Sequence, residues 1–147
     1  DIHRTHNHVS LEPRINAYYS NDQKADREGL YLINNGMGPA FVERLEVTVD
    51  GKTVAEGDMA KFGVAVRLLG LSSGCLTIGG PRPNDTFKVG EEIALIETSK
   101  NTPPICSLNS FKMRTAFTNG LDFTVTVMSI YGDRFEYNFK KNSQRPL

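Results

Sequence analysis

The chain has no tryptophan among its 147 residues. Antibody domains keep a buried tryptophan against an inter-sheet disulfide, so the chain lacks that core. Surplus charge is missing too, with 17 basic and 17 acidic residues. A dedicated nucleic-acid binder carries a basic excess to displace phosphate counterions, and that class is excluded. The halves differ mildly: residues 1–99 hold 10 basic and 14 acidic (net −4), residues 100–147 hold 7 and 3 (net +4). No apolar run approaches the ~20 residues needed to cross a bilayer. No basic-then-apolar signal peptide opens the chain. No histidine follows position 8, which removes the late histidine of a G-x-S-x-G hydrolase. Internal repeats are absent, as is the βαβα alternation of a nucleotide-binding parallel sheet.

What is present suits one soluble domain. Hydrophobic residues make up 39% and charged residues 23%, which excludes the disordered class. A chain this long buries roughly two-thirds of its unfolded surface, so folding needs neither metal nor disulfide. The two cysteines, Cys75 and Cys106, have thirty residues between them. Two states are open to them: a bridge formed in an oxidising compartment, or two buried thiols acting as small apolar residues. The chain starts at Asp1 without a methionine, as an excised or processed product would.

Period-two alternation dominates the pattern. Val9–Tyr19 alternates, with Pro13 pushing it to a sheet edge, and the polar stretch Ser20–Glu28 reads as a loop. Gly29–Asn34 reads as a buried strand, Asn35–Pro39 as a turn, and Phe41–Val49 as an alternating strand. Asp50-Gly51 is a hairpin signal with a short return over Lys52–Ala55. Met59, Phe62, Val66 and Leu69 share one helical face, so a helix is expected over Asp58–Leu69, capped by Asp58 and stopped by Gly70. Strands follow at Cys75–Ile78 and Ile93–Ile96. A second short helix is expected over Ser110–Thr118. Leu121–Tyr131 and Arg134–Phe139 form a final hairpin around Gly132-Asp133. The fold expected is a mainly β, immunoglobulin-like antiparallel β-sandwich of about seven strands, with one or two short helices in connections. Residues 1–8 are expected as a stalk or linker, 9–141 as one domain and 142–147 as a C-terminal tail. Pro13 at an edge favours a monomer.

Four features suggest chemistry. Gly70-Leu71-Ser72-Ser73-Gly74 matches the nucleophile elbow, but that motif needs a strand before the serine and a helix after it; here the order is reversed. His3, His6 and His8 cluster near the start. A structural zinc site wants four ligands, and Cys75 or Cys106 would have to complete it, so a polar stalk is the expectation. Asn34–Ala40 is glycine-rich but lacks the lysine and hydroxyl of a P-loop and leads into a strand, so a turn is expected. Glu91, Glu92 and Asp122 are the carboxylates closest to a general acid–base arrangement, yet no spacing singles them out. Asn84-Asp85-Thr86 is a glycosylation sequon, meaningful in a eukaryotic secretory protein. No catalytic, cofactor-binding or metal-binding residue is assigned.

Three segments resemble an uncharacterised family of small bacterial proteins. Arg4-Thr5-His6-Asn7-His8-Val9-Ser10-Leu11-Glu12-Pro13 is similar to its R-x-H-N-x-L-S-V-x-P stretch. Tyr31-Leu32-Ile33-Asn34-Asn35-Gly36-Met37-Gly38-Pro39-Ala40 with Asp50-Gly51 is similar to L-x-N-x-G-x-G-P-A…D-G. Met128-Ser129-Ile130-Tyr131-Gly132-Asp133 is similar to Y-x-S-x-Y-G-[DE]. Val9, Leu11 and Met128 depart from the pattern but keep its apolar character. The resemblance implies one N-terminal membrane helix, outside this stretch of chain, followed by a β-rich domain on the extracytoplasmic (periplasmic) face of a bacterial membrane. It implies no catalytic residue. The functional expectation is a non-enzymatic, membrane-tethered binding or interaction domain whose partner is a protein or another envelope component. The alternatives are a small-molecule or metal-binding sensor module and a hydrolase using Ser72.

Overall fold

A strand with one wet face must bury the other, and the longest strands here do so residue by residue. In the computed structural model, which describes residues 11–22, 24–55 and 60–147, Ala40, Val42, Leu45, Val47 and Val49 turn inward along one strand. Leu121, Phe123, Val125 and Val127 answer them from its neighbour. The strands are β1 (Ile15–Asp22), β2 (Arg27–Asn34), β3 (Ala40–Val49), β4 (Lys52–Thr53), β5 (Leu76–Ile78), β6 (Thr86–Phe87), β7 (Glu92–Thr98), β8 (Leu121–Met128), β9 (Arg134–Asn138) and β10 (Ser143–Pro146). Two helices join them: α1 (Lys61–Leu68) follows β4 and α2 (Ser107–Asn119) precedes β8.

The strands form an antiparallel sandwich. One sheet has the order β1-β2-β7-β5; the other runs β10-β9-β8-β3-β4, with β6 on the start of β3. Assigning letters A, B, C, D, E, F and G to β1, β2, β3, β5, β7, β8 and β9 gives A-B-E-D against G-F-C. That is the constant-type immunoglobulin arrangement. Aromatic bulk in the core comes from Phe62 of α1, which meets Phe123 edge-on at 5.2 Å, with Phe139 stacked on Phe123 at 4.9 Å. Burying a side chain such as Phe62 contributes about 1.5–3 kcal/mol.

Several expectations are corrected. Residues Ser20–Glu28 are largely strand: β1 runs to Asp22 and β2 starts at Arg27. Edge residues face water on two sides, so a polar sequence there is compatible with a strand. Pro13 lies ahead of β1 rather than inside it. The β1 edge is closed by side chains of the opposite sheet instead. Ile15 N–H donates to Gln144 Oε1 and Ala17 N–H to the Tyr137 hydroxyl, both at 2.9 Å, while Gln144 Nε2 donates to the Pro13 carbonyl at 2.8 Å. Satisfying edge N–H groups in this way removes a template for strand addition. Residues 142–147 contain β10 instead of forming only a tail, and the described residues hold ten strands where about seven were expected. The first helix begins at Lys61; the expected cap Asp58 and Met59 lie outside the described residues, as do the stalk residues 1–8. The second helix starts three residues early, at Ser107. The thiol alternative is overturned: Cys75 and Cys106 are disulfide-bonded, with Cα atoms 5.4 Å apart.

Candidate interaction surface

Among the described residues singled out for chemistry, the polar groups hold turns and strands in place. Ser72 is exposed just before a 3₁₀ turn over Ser73–Cys75, with α1 upstream and β5 downstream. Its backbone N–H and carbonyl both bond Asn109 of α2, each at 3.2 Å. Glu92 accepts from Arg27 at 2.9 Å and from the Tyr18 hydroxyl. Glu91 Oε1 accepts the Lys88 N–H at 2.9 Å. Asp122 Oδ1 accepts the N–H groups of Phe123 (2.8 Å) and Lys140 (3.1 Å). The three carboxylates therefore sit in separate local networks. Asn84 of the sequon occupies an exposed turn ahead of β6. His3, His6 and His8 lie outside the described residues, and among the described residues no three His, Cys, Asp or Glu side chains gather to hold a metal.

The two ends of the sandwich are built differently. At one end, β2 passes to β3 through residues 35–39 and β8 passes to β9 through 129–133. Asn34 is fully buried. Its Nδ2 donates to the carbonyls of Gly38 (3.0 Å) and Phe87 (3.1 Å), and its Oδ1 accepts from Arg14 N–H (3.2 Å) and Gly36 N–H (3.0 Å). The turn lies so close to the incoming chain that a Cβ on Gly38 would sit 1.8 Å from the Leu11 carbonyl oxygen, and one on Gly36 2.4 Å from that of Glu12. Ser129, also buried, accepts the N–H groups of Tyr131 and Asp133 on its hydroxyl, each at 3.2 Å. Residues 11–14 and 34–38 thus brace one another through backbone contacts, while Ser129 braces its own turn.

At the other end, α2 lies across the core. Met113, Phe117 and Asn109 are its buried residues, and Phe117 meets Tyr19 of β1 edge-on at 6.2 Å. The Cys75–Cys106 bond joins the residue just ahead of α2 to the residue just ahead of β5. The opposite face is bare: Leu108 is 56% and Phe111 84% exposed, with Ile105 just ahead at 71%. At 100° per residue, Leu108, Phe111 and Thr115 point away from the buried stripe, and Lys112 and Arg114 border them on either side. Beside α2 opens a cleft of about 620 Å³ whose walls include Asp22, Asp26, Glu28, Lys100 and Ser110. Buried Glu28 accepts the hydroxyls of Ser110 (2.7 Å) and Tyr19. Burial and the adjacent carboxylate push the Tyr19 phenol up. Sequence reasoning missed this surface. The only signal was a run of three large apolar residues, Ile105, Leu108 and Phe111, on the wrong face of an otherwise polar segment.

No protein-family model, curated protein or solved structure matches this chain. No helix among the described residues is long and apolar enough to cross a membrane.

Proposed function

We propose that this chain is a binding domain, not an enzyme, tethered on the extracytoplasmic face of a bacterial membrane, and that the α2 end is its contact surface. The observation that carries this reading is the exposed ridge of Ile105, Leu108 and Phe111. Leu108 and Phe111 on the outer face of α2, and Ile105 in the 3₁₀ turn just ahead of it, are held in water; they cost free energy with no return in folding, and such patches mark recognition sites. Met37, Val89, Ile130 and Tyr131 are also exposed at the turn end. They come from three separate turns, however, and Leu11 packs there. Leu11, the first described residue, lies against Gly38 at the turn end, opposite α2. The disulfide supports an oxidising compartment. The local roles of Ser72, Glu91, Glu92 and Asp122 support a non-catalytic reading.

The test is site-specific photo-crosslinking in bacteria, with the photoreactive residue at Phe111 or, as control, at Val89. An adduct at 111 and none at 89 is expected. No adduct at 111 to either protein or lipid, or equal adducts at both, overturns the surface assignment. For the compartment, blocking of both cysteines by an alkylating reagent added to cells without reductant would overturn it.

A second reading, a small-molecule module, rests on a cavity of about 390 Å³ walled by Leu45, Phe62, Ile78 and Pro81 with Arg82 among its lining. That chemistry suits an apolar acid. A thermal shift by a medium-chain carboxylate, lost in Phe62→Ala measured against that variant's own baseline, would favour it; no shift in the wild type would remove it.

A further inference from the structure

We infer that the α2 ridge docks peripherally on an anionic lipid surface, its apolar side chains entering the headgroup layer and its flanking cations meeting phosphate. This deepens the binding reading and rests on it. Between Glu97 and Asp122 the chain has no acidic residue, while Lys100, Lys112 and Arg114 fall within that interval. Among the described residues no carboxylate forms an ion pair with any of the three. Lys100 and Lys112 are exposed. Arg114 lays its guanidinium over the Tyr19 ring, 5.6 Å from the centroid, which holds it at one border of the ridge.

The arrangement has the parts an interfacial helix uses: an apolar stripe with a bulky aromatic, and a cation on each side long enough to reach phosphate while its stem stays against apolar surface. A protein groove would need to wrap this ridge, whereas a lipid surface yields to it. Asp22 and Asp26 line the cleft beside α2, so the attraction to an anionic bilayer is local to the ridge and to Lys112 and Arg114 on its two borders. Rigid presentation helps as well. The helix is already folded, buried on its inner face and tied just ahead of its first residue by the disulfide, so docking need not order it.

The experiment is co-sedimentation of the 147-residue chain with vesicles of equimolar phosphatidylglycerol and phosphatidylcholine, and with phosphatidylcholine alone. Binding to the anionic vesicles only is expected, weakening as salt rises. Leu108→Ser with Phe111→Ser should reduce it on the order of a hundredfold, and Lys112→Glu roughly tenfold. These side chains are exposed, so an unchanged thermal midpoint will show that each variant is folded. Absence of binding to anionic vesicles, or binding unmoved by the double serine variant, overturns the lipid assignment. If vesicles fail but the crosslinker at 111 captures a protein, the binding reading stands and the lipid inference falls. If vesicles and crosslinker both fail, both readings fall.

Discussion

The turn end and the α2 end close the same sandwich by opposite means. At the turn end, polar atoms do the closing. Asn34 alone makes four side-chain hydrogen bonds, and two glycines admit a close contact with the chain ahead of β1 that no side chain would permit. At the α2 end, apolar packing and a covalent bond do it: Met113 and Phe117 are buried beneath the helix and Cys75–Cys106 ties its start. The difference teaches where surplus surface can sit. A hydrogen-bonded turn spends its residues on its own backbone. A packed helix needs only one face, so the other is free to carry Leu108 and Phe111.

The comparison breaks most sharply at Asn34. Replacing it with alanine leaves the Gly38 and Phe87 carbonyls and the Arg14 and Gly36 N–H groups without their partner. Leaving a buried polar group unpaired costs about 1–3 kcal/mol, so the expected loss is on the order of 4 kcal/mol in urea unfolding. Asn34→Asp keeps the acceptor but loses the donors and should also destabilise. If Asn34→Ala costs less than about 1 kcal/mol, the turn end is not held as described.

Cutting the disulfide tests the other end. A closed loop of this length contributes about 3–4 kcal/mol on the chain-entropy model. Cys75→Ser with Cys106→Ser should cost that much, and amide exchange should rise first in the first turns of α2 while β3 and β8 stay protected. Uniform loss of protection would show that the two ends are not separable units.

How far the sequence revealed each end follows from the same contrast. Turns with special geometry advertise themselves: Asp50 and Gly51 both adopt positive φ (51° and 81°), and Asp-Gly is the pair that tolerates it. Strands with one wet face, such as β3, β8 and β9, show clean alternation. Edge strands do not. β10 is four residues long and contains a proline, and β6 is two residues long. In both, pairing is decided by neighbours distant in sequence. The α2 helix was visible but blurred, because apolar residues on both its faces cancel the amphipathic signal. Its exposed ridge could be recognised only once the buried face was known. The disulfide was equally hidden, since the spacing of two cysteines fixes neither their distance nor their redox state.

Alkaline pH gives a smaller effect, on the face between the two ends. Tyr18 donates to Glu92, Tyr31 to Glu97 at 2.5 Å, and Arg27 pairs with both carboxylates. Burial first, then the carboxylate bond, pushes the Tyr18 phenol up to about 12, and Tyr31 moves in the same direction. A phenol whose folded pKa is raised stabilises the fold fully below its unfolded value near 10, and that stabilisation is lost as pH climbs through the folded value. Stability should therefore be flat up to pH ~10 and decline above it, less steeply in Tyr18→Phe. An identical alkaline decline in the variant would remove Tyr18 from the account. Hydrogen bonding by Tyr18 is the leading cause that lowers the Glu92 pKa. Its contribution should therefore fade only on the acid side, as pH falls through the carboxylate's lowered value.

The smallest expected effect is also the sharpest. Phe111 is the most exposed of the large apolar residues described, at 84%, so the folded state gains almost nothing by holding it. Phe111→Ser should change unfolding free energy by no more than about 0.5 kcal/mol. Serine's helix propensity is slightly poorer than that of the best formers but close to phenylalanine's, so propensity will not disguise the result. The inward-facing control is Phe117→Ala, which opens a cavity against Tyr19 and the core and should cost about 3–5 kcal/mol. Two phenylalanines on one helix, six positions apart, would then differ several-fold in their weight in folding. If Phe111→Ser instead destabilises by 2 kcal/mol or more, the side chain is supporting the fold. The ridge would then be part of the packing, and the argument that its exposure serves a partner would lose its footing.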